Sequence, residues 1–210
     1  MTLQNRVTPF GALIADPARG LVYGNRGCLH DASGRLRRRH ATRRWIACRL
    51  EFRGWHRGPL MQPGRFTELF FLDDATALAA GHRPCALCRR TDYTALTDMW
   101  ARLHDERPTA DSIDTRLHGE RLAGPARRLH VVDGGRLPDG ACVVLEGDAW
   151  MVIAGVLRRW TPAGYGEAAS IRTGPHHVLT PPSLLELLRS SWRSDLPLLH
   201  PSAGVAPYTP

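Results

Sequence analysis

The sequence has no lysine. All 28 of its basic residues are arginine, against 20 acids, for a net charge of +8. Arginine in place of lysine often reflects a GC-rich coding bias, so that absence alone says little about function. Other shortages say more. No apolar run approaches the roughly 20 residues that span a bilayer, which argues against a helical membrane span. The N-terminal stretch "MTLQNRVTPFGALIADP" lacks a basic flank followed by an apolar segment, so no secretory signal is expected. The expected compartment is the cytoplasm, where thiols stay reduced. Cysteine is scarce. Five is an odd count, which suits metal binding better than a complete disulfide framework.

What is present fits a folded chain. The 210 residues suffice for one large domain or two small ones, and the 43% hydrophobic share is ordinary for a globular protein. The charge is unevenly spread. Between Arg26 and Arg65 there are eleven arginines against only Asp31 and Glu51, so one stretch carries the whole positive excess. Within it Arg35, Arg37, Arg38, Arg39, Arg43 and Arg44 fall inside ten residues, with no acid among them. A concentrated positive field is the footprint of a phosphate-binding surface, which predicts DNA or RNA as a partner and no membrane partner. The plainer alternative is a solubilising basic loop. Trp45 and Trp55 flank the region as candidates to stack on bases, although tryptophans are more often core.

Local patterns predict an α+β fold. "ALIA" and "LVYG" read as short strands joined by turn residues, and 31–44 as a basic loop. "WIACRLEF" alternates, with Ile46, Cys48, Leu50 and Phe52 on one face. "FTELFFL" is a further strand. A helix should follow, capped by Asp73 or Asp74 and stopped at Gly81, and a second should be capped by Thr91 or Asp92 and run to about residue 104. "SIDTRLHGERL" is a third candidate helix. Gly, Pro and basic residues over 124–138 suggest a boundary. The expected division is a zinc-binding, basic N-terminal region, 1–124, and a smaller, mainly β region, 125–210. In the latter a hairpin turns at Gly147 and Asp148, "TPPSLLELLRSSW" forms a closing helix, and a proline-rich tail is extended.

The most specific motif is Cys85-x-x-Cys88 in "AGHRPCALCRR". Such spacing lets a tight backbone knuckle aim two sulfurs at one metal ion. A thioredoxin-like redox pair uses the same spacing, but it opens a long helix after a strand of a parallel unit. Here a short helix precedes the pair, which favours metal. The surrounding "LFFLDDATALAAGHRPCALCRR" resembles the metal-binding domain of the Ada DNA alkylation-repair proteins. Phe70-Phe71, Asp73-Asp74, Ala79-Ala80-Gly81 and Arg83-Pro84-Cys85 through Cys88 carry the likeness, which covers about residues 68–90. It implies four cysteines on zinc, one of them accepting a methyl group from a DNA phosphotriester. The family's other two ligands are close together as Cys-x-x-x-Cys, a pair that this chain lacks. Cys28 and Cys48 would complete the set here. His30 is the competing ligand, and Cys48 could equally be core, on the apolar face of its strand. Cys142 reads as core.

His118-Gly119-Glu120 forms an H-x-E unit that zinc deaminases of bases also carry, but there it precedes the cysteines rather than following them. His118 and Glu120 are candidates for an acid–base pair, with exposed, salt-bridged positions on a helix as the plainer reading. The leading expectation is a zinc-stabilised nucleic-acid-binding protein, plausibly in DNA repair or processing. A hydrolase of nucleic acid using His118 and Glu120 is the first alternative, and an interaction scaffold with structural zinc the second.

Overall fold

A computed structural model describes residues 2–55, 58–104, 106–190, 192 and 198–204. The chain is α+β, with two six-stranded sheets among the described residues. The first sheet uses β1 (Gln4–Val7), β2 (Leu13–Ala15), β3 (Val22–Asn25), β4 (Ile46–Cys48), β5 (Leu69–Phe71) and β6 (Arg83–Pro84), in the order β2-β1-β5-β3-β4-β6. The second is antiparallel and uses β9 (His130–Asp133), β10 (Cys142–Leu145), β11 (Asp148–Ile153), β12 (Val156–Thr161), β13 (Gly164–Ser170) and β14 (Pro175–Val178). A two-rung hairpin, β7 (Leu122–Ala123) with β8 (Ala126–Arg127), lies between them in sequence. The helices are α1 (Asp74–Ala79), α2 (Arg90–His104), α3 (Ala110–Arg121) and α4 (Pro182–Arg189).

The short helix α1 organises the interior. Asp73 caps it, accepting from the Thr76 N–H at 2.8 Å and the Thr76 hydroxyl at 2.7 Å. All six of its residues are buried, and they feed three separate apolar clusters. Ala77 joins the apolar cluster under the first sheet, with Val7, Val22, Leu69 and Phe71. Ala75 and Ala79 join the cluster of the second sheet, with Cys142, Met151 and Ile153. Leu78 enters a helical cluster with Leu96, Trp100, Ile113, Leu117 and Leu184. Alanine permits this because its small side chain lets three layers approach one backbone. The change of sheet comes after residue 124, yet two of these clusters draw on both sides of it.

Gly81 ends α1 with φ +84°, and a Cβ there would come within 2.7 Å of Arg121 Cδ, so the position needs glycine twice over. α2 starts earlier than its expected caps, directly from the cysteine turn. Asp92 is buried and pairs with Arg89 instead of capping. The β10–β11 turn is at Glu146 and Gly147, both at positive φ, one residue before the expected position. The alternating segment after Trp45 is a strand only over Ile46–Cys48. Most of the proline-rich tail lies outside the described residues. Its described part holds a 3₁₀ turn, Pro201–Ala203.

Candidate metal centre and arginine loop

Strand register brings the cysteines together. β4 runs parallel to β6 with Ala47 opposite Pro84, so the next residues, Cys48 and Cys85, leave neighbouring strands side by side. The Cys85 N–H donates to the Ala47 carbonyl at 2.9 Å, which fixes that step. The chain then turns, with the Arg89 N–H donating to the Cys85 carbonyl at 3.1 Å, and returns Cys88 to the same place. The sulfurs of Cys48, Cys85 and Cys88 lie within 4.8 Å of one another, an arrangement that could hold a metal ion. Two backbone N–H groups point at this sulfur group, Leu87 to Cys85 Sγ and Arg49 to Cys88 Sγ, each at 3.4 Å. Such donors favour thiolate over thiol. Without a cation the three sulfurs divide the protons. Donation from the Cys48 and Cys88 thiols pulls the Cys85 thiol far below its ordinary range. The Cys48 thiol is pushed up, first because it donates to Cys85 and then to Cys88.

The other expected ligands are elsewhere. Cys28 does not join the sulfur group. It lies past the end of β3, and its thiol donates to the carbonyl of His30 at 3.6 Å within its own turn. His30 is no substitute. Its Nδ1 bonds the Thr67 hydroxyl at 2.6 Å and its Nε2 the Gln62 carbonyl at 3.1 Å, so both ring nitrogens are engaged in holding the fold. Cys48 is both core and candidate ligand: it packs with Tyr23 and Cys88 while its sulfur faces the group. Cys142 is fully buried in the second sheet's core.

The six arginines of the 35–44 segment are all exposed. The segment itself is well tied. Asp31 accepts from the N–H groups of Ser33 and Arg35 and from the Ser33 hydroxyl, and it pairs with Arg37 Nε at 2.7 Å. These hydrogen bonds, with that of Ser33 first, hold the Asp31 carboxyl well below the usual carboxylate range. The acid that the ten-residue window lacks is thus supplied from just upstream. The Arg37 and Ala41 N–H groups donate to the carbonyls of Leu29 and Arg26, at 2.8 and 2.9 Å. Arg39 reaches across to the Pro125 carbonyl at 3.0 Å. The segment ends at Trp45, which leads into β4 and so toward Cys48.

Compared with known proteins, the chain matches no family model, no curated protein and no solved structure.

His118 and Glu120 do not form a pair. Residues two apart on a helix point in roughly opposite directions. His118 Nδ1 accepts from Arg121 at 3.1 Å, and its ring packs edge-on against His40. Glu120 turns to α4, accepting from the Ser183 N–H at 3.1 Å and its hydroxyl at 2.6 Å, with Arg116 at 3.2 Å on the same carboxylate. The glutamate is therefore a cap for α4, which explains how that helix begins without a side-chain cap of its own. Trp55 is 60% exposed, whereas Trp45 is buried, with Arg26 and Arg121 stacked on its ring at 3.9 and 4.1 Å from the centroid. Among the described residues no helix is long and apolar enough to cross a membrane.

Sequence reasoning missed Arg26 and Arg121, which the fold buries beside Trp45, and Arg127, which it half-buries beside α1. For Arg26 a signal was present. It continues the alternation of Val22 and Gly24, whose face is the core of the first sheet.

Proposed function

We propose that this chain is a zinc-stabilised nucleic-acid-binding protein, of the kind used in DNA repair or processing. The observation that carries the reading is the exposed arginine segment, where six guanidiniums have one acidic partner among the described residues. Crowded cations repel one another until a polyanion arrives, so the segment is arranged for phosphates.

Zinc suits the sulfur group. Three soft thiolate donors favour it, and two sulfurs each about 2.3 Å from one zinc would stand about 3.8 Å apart, which falls within the 4.8 Å that bounds their separation here. Cys48, Cys85 and Cys88 would hold the ion. Its contribution would be a cross-link between β4, into which the arginine segment feeds, and the start of α2. That link would fix one end of the segment against the rest of the fold. The likeness to Ada proteins over residues 68–90 supports both zinc and DNA. The departed upstream spacing, with Cys28 away from the group, speaks against methyl acceptance as the activity.

Two measurements test the reading. Purified protein should carry about one zinc per chain, and chelation or Cys85→Ser should lower its melting temperature. It should also bind DNA or RNA with an affinity that falls steeply with salt. Metal-free protein whose Cys85→Ser variant melts unchanged removes zinc from the account. A zinc protein without salt-dependent binding leaves the interaction scaffold as the better description.

A further inference from the structure

Beside the arginine segment is a cavity of about 730 Å³. It lies between the β1–β2 turn, residues 36–40 and the β7–β8 hairpin, with Arg26 and Trp45 in its wall. Its volume is that of a small-molecule site, commonly about 300–1,000 Å³.

The charges around it are not balanced. Arg26 is fully buried. Its Nε donates to His82 Nε2 at 3.1 Å, and its Nη1 to the carbonyls of Gly11 at 2.8 Å and Arg39 at 3.4 Å. Its Nη2 is buried with no partner. Arg26 and Gly11 both line the cavity, and this nitrogen lies 3.6 Å from where a Cβ on Gly11 would stand. Arg121 donates to the carbonyls of Gly81 and Arg43, and Arg127 to those of Ala79, Leu179 and Arg121. Both leave a buried Nε unpartnered. None of the three bonds a carboxylate among the described residues. Burial lowers all three pKa values: Arg26 far down, with neighbouring arginines adding to it, Arg121 to about 9 against the opposing charge of Asp114, and Arg127 to about 10.

The same fold treats two other buried arginines differently. Arg83 is bidentate on Asp114 at 2.8 Å, and Arg89 is held by Asp74 and Asp92. Burying a cation with only neutral acceptors is costly, so fully buried Arg26, with half-buried Arg127 beside it in the wall, is completed when an anion enters the cavity that both line.

We propose that this cavity is an anion site that takes a phosphate group, carried by a nucleotide or by a nucleic-acid strand. Arg26 and Arg127 face the anion within the cavity, and Arg37, Arg38 and Arg39 close its rim. Guanidinium forks match the oxygens of a phosphate, and several can share one group. Phe10, Leu13 and Leu36 offer apolar wall for the sugar or base beside it. The inference deepens the nucleic-acid reading, but its first test does not need that reading, because inorganic phosphate is the probe.

Thermal unfolding of the full chain is compared in sodium phosphate and in sodium chloride of equal ionic strength. Saturating phosphate should raise the melting temperature by about 5 °C or more. Arg26→Met removes the unpaired buried cation. It should melt no lower than the parent in chloride and lose the phosphate shift. Arg38→Ala, on the exposed rim, should fold as the parent does and weaken phosphate binding about tenfold. Calorimetry with AMP, and with 5′-phosphorylated and 5′-hydroxyl oligonucleotides, separates the sources. Preference for the phosphorylated end assigns a strand terminus. Binding of AMP with no binding of any strand keeps the site and ends the nucleic-acid reading. The site itself is refuted if phosphate adds nothing beyond chloride, or if both variants keep the full shift.

Discussion

Arg35, Arg43 and Arg44 separate the outer arginine segment from the cavity. They are exposed, they do not line the cavity, and their side chains make no hydrogen bond or ion pair among the described residues. Replacing all three with alanine should therefore leave the fold alone. Exposed substitutions of this kind stay within about 0.5 kcal/mol each, so melting should shift by no more than a few degrees. Binding should change in a defined way. Each guanidinium that meets a duplex phosphate contributes about 0.9 to the slope of log affinity against log salt. Three lost contacts make that slope shallower by about 2.7. Between 50 and 200 mM salt the parent should then lose about 40-fold more affinity than the variant. Fluorescence anisotropy with a labelled duplex and a labelled single strand, over four salt concentrations, reads both slopes. The loss should be the same for unrelated sequences, because phosphates carry no sequence information. A variant that binds as tightly as the parent at low salt, with the same slope, refutes the argument. The segment would then be a solubilising face.

Three further predictions address the neighbouring sites. No stable S-methylcysteine should form on incubation with methyl-phosphotriester DNA; a mass gain of one methyl group on Cys28 or Cys48 would overturn this. Glu120→Ala should cost about 1–2 kcal/mol in urea unfolding, because it removes the carboxylate that receives the Ser183 N–H and hydroxyl; unchanged stability would mean that the contact is not a working cap. His82 is buried against Arg26, and burial, followed by the charges of Arg26 and Arg121, holds its pKa well below the ordinary value. The unfolded chain therefore takes up the proton first, so this contribution to stability is present above about pH 6.5 and lost as pH falls, by up to about 1.4 kcal/mol per unit. His82→Asn should flatten that dependence between pH 7.0 and 5.5, and an identical pH profile in the two proteins would sink the assignment.

How far the residues revealed the fold depended on how local the deciding forces were. The stop at Gly81 is settled within a few residues and was readable, as were the cap of α1, narrowed to Asp73 or Asp74, and the turn before β11, to within one residue. β1 and β9 were not. Each is a four-residue strand without strong alternation, and its place is decided by partners far along the chain, Phe70 for Arg6 in β1 and 175–178 for β9. The cysteines divide in the same way. The Cys85–Cys88 knuckle follows from spacing alone. The inclusion of Cys48 depends on the parallel register of β4 and β6, which juxtaposes residues 37 positions apart. Cys28 was as good a candidate as Cys48 by residue type, but no strand carries it to the knuckle.

The arginines show most clearly what composition conceals. Sequence counting weighted the exposed six, because they cluster within ten residues that hold no acid. The fold sorts arginines by partner rather than by density. Arg83 and Arg89 are buried and matched by carboxylates from distant or neighbouring turns. Arg26 and Arg121 are buried and Arg127 half-buried, and their hydrogen bonds go to carbonyls and the ring nitrogens of His82 and His118, with Arg26 and Arg121 also stacked on Trp45. A single charge on an exposed loop costs little, because water screens it, so the loop argues for a ligand only through the crowding of six. A charge held out of water without an opposite charge costs much more, so its position is stronger evidence. The two tests can therefore disagree. If the Arg35, Arg43 and Arg44 variant binds strands normally while Arg26→Met loses phosphate, the functional anion site is the enclosed one, and the conspicuous loop serves only to surround it.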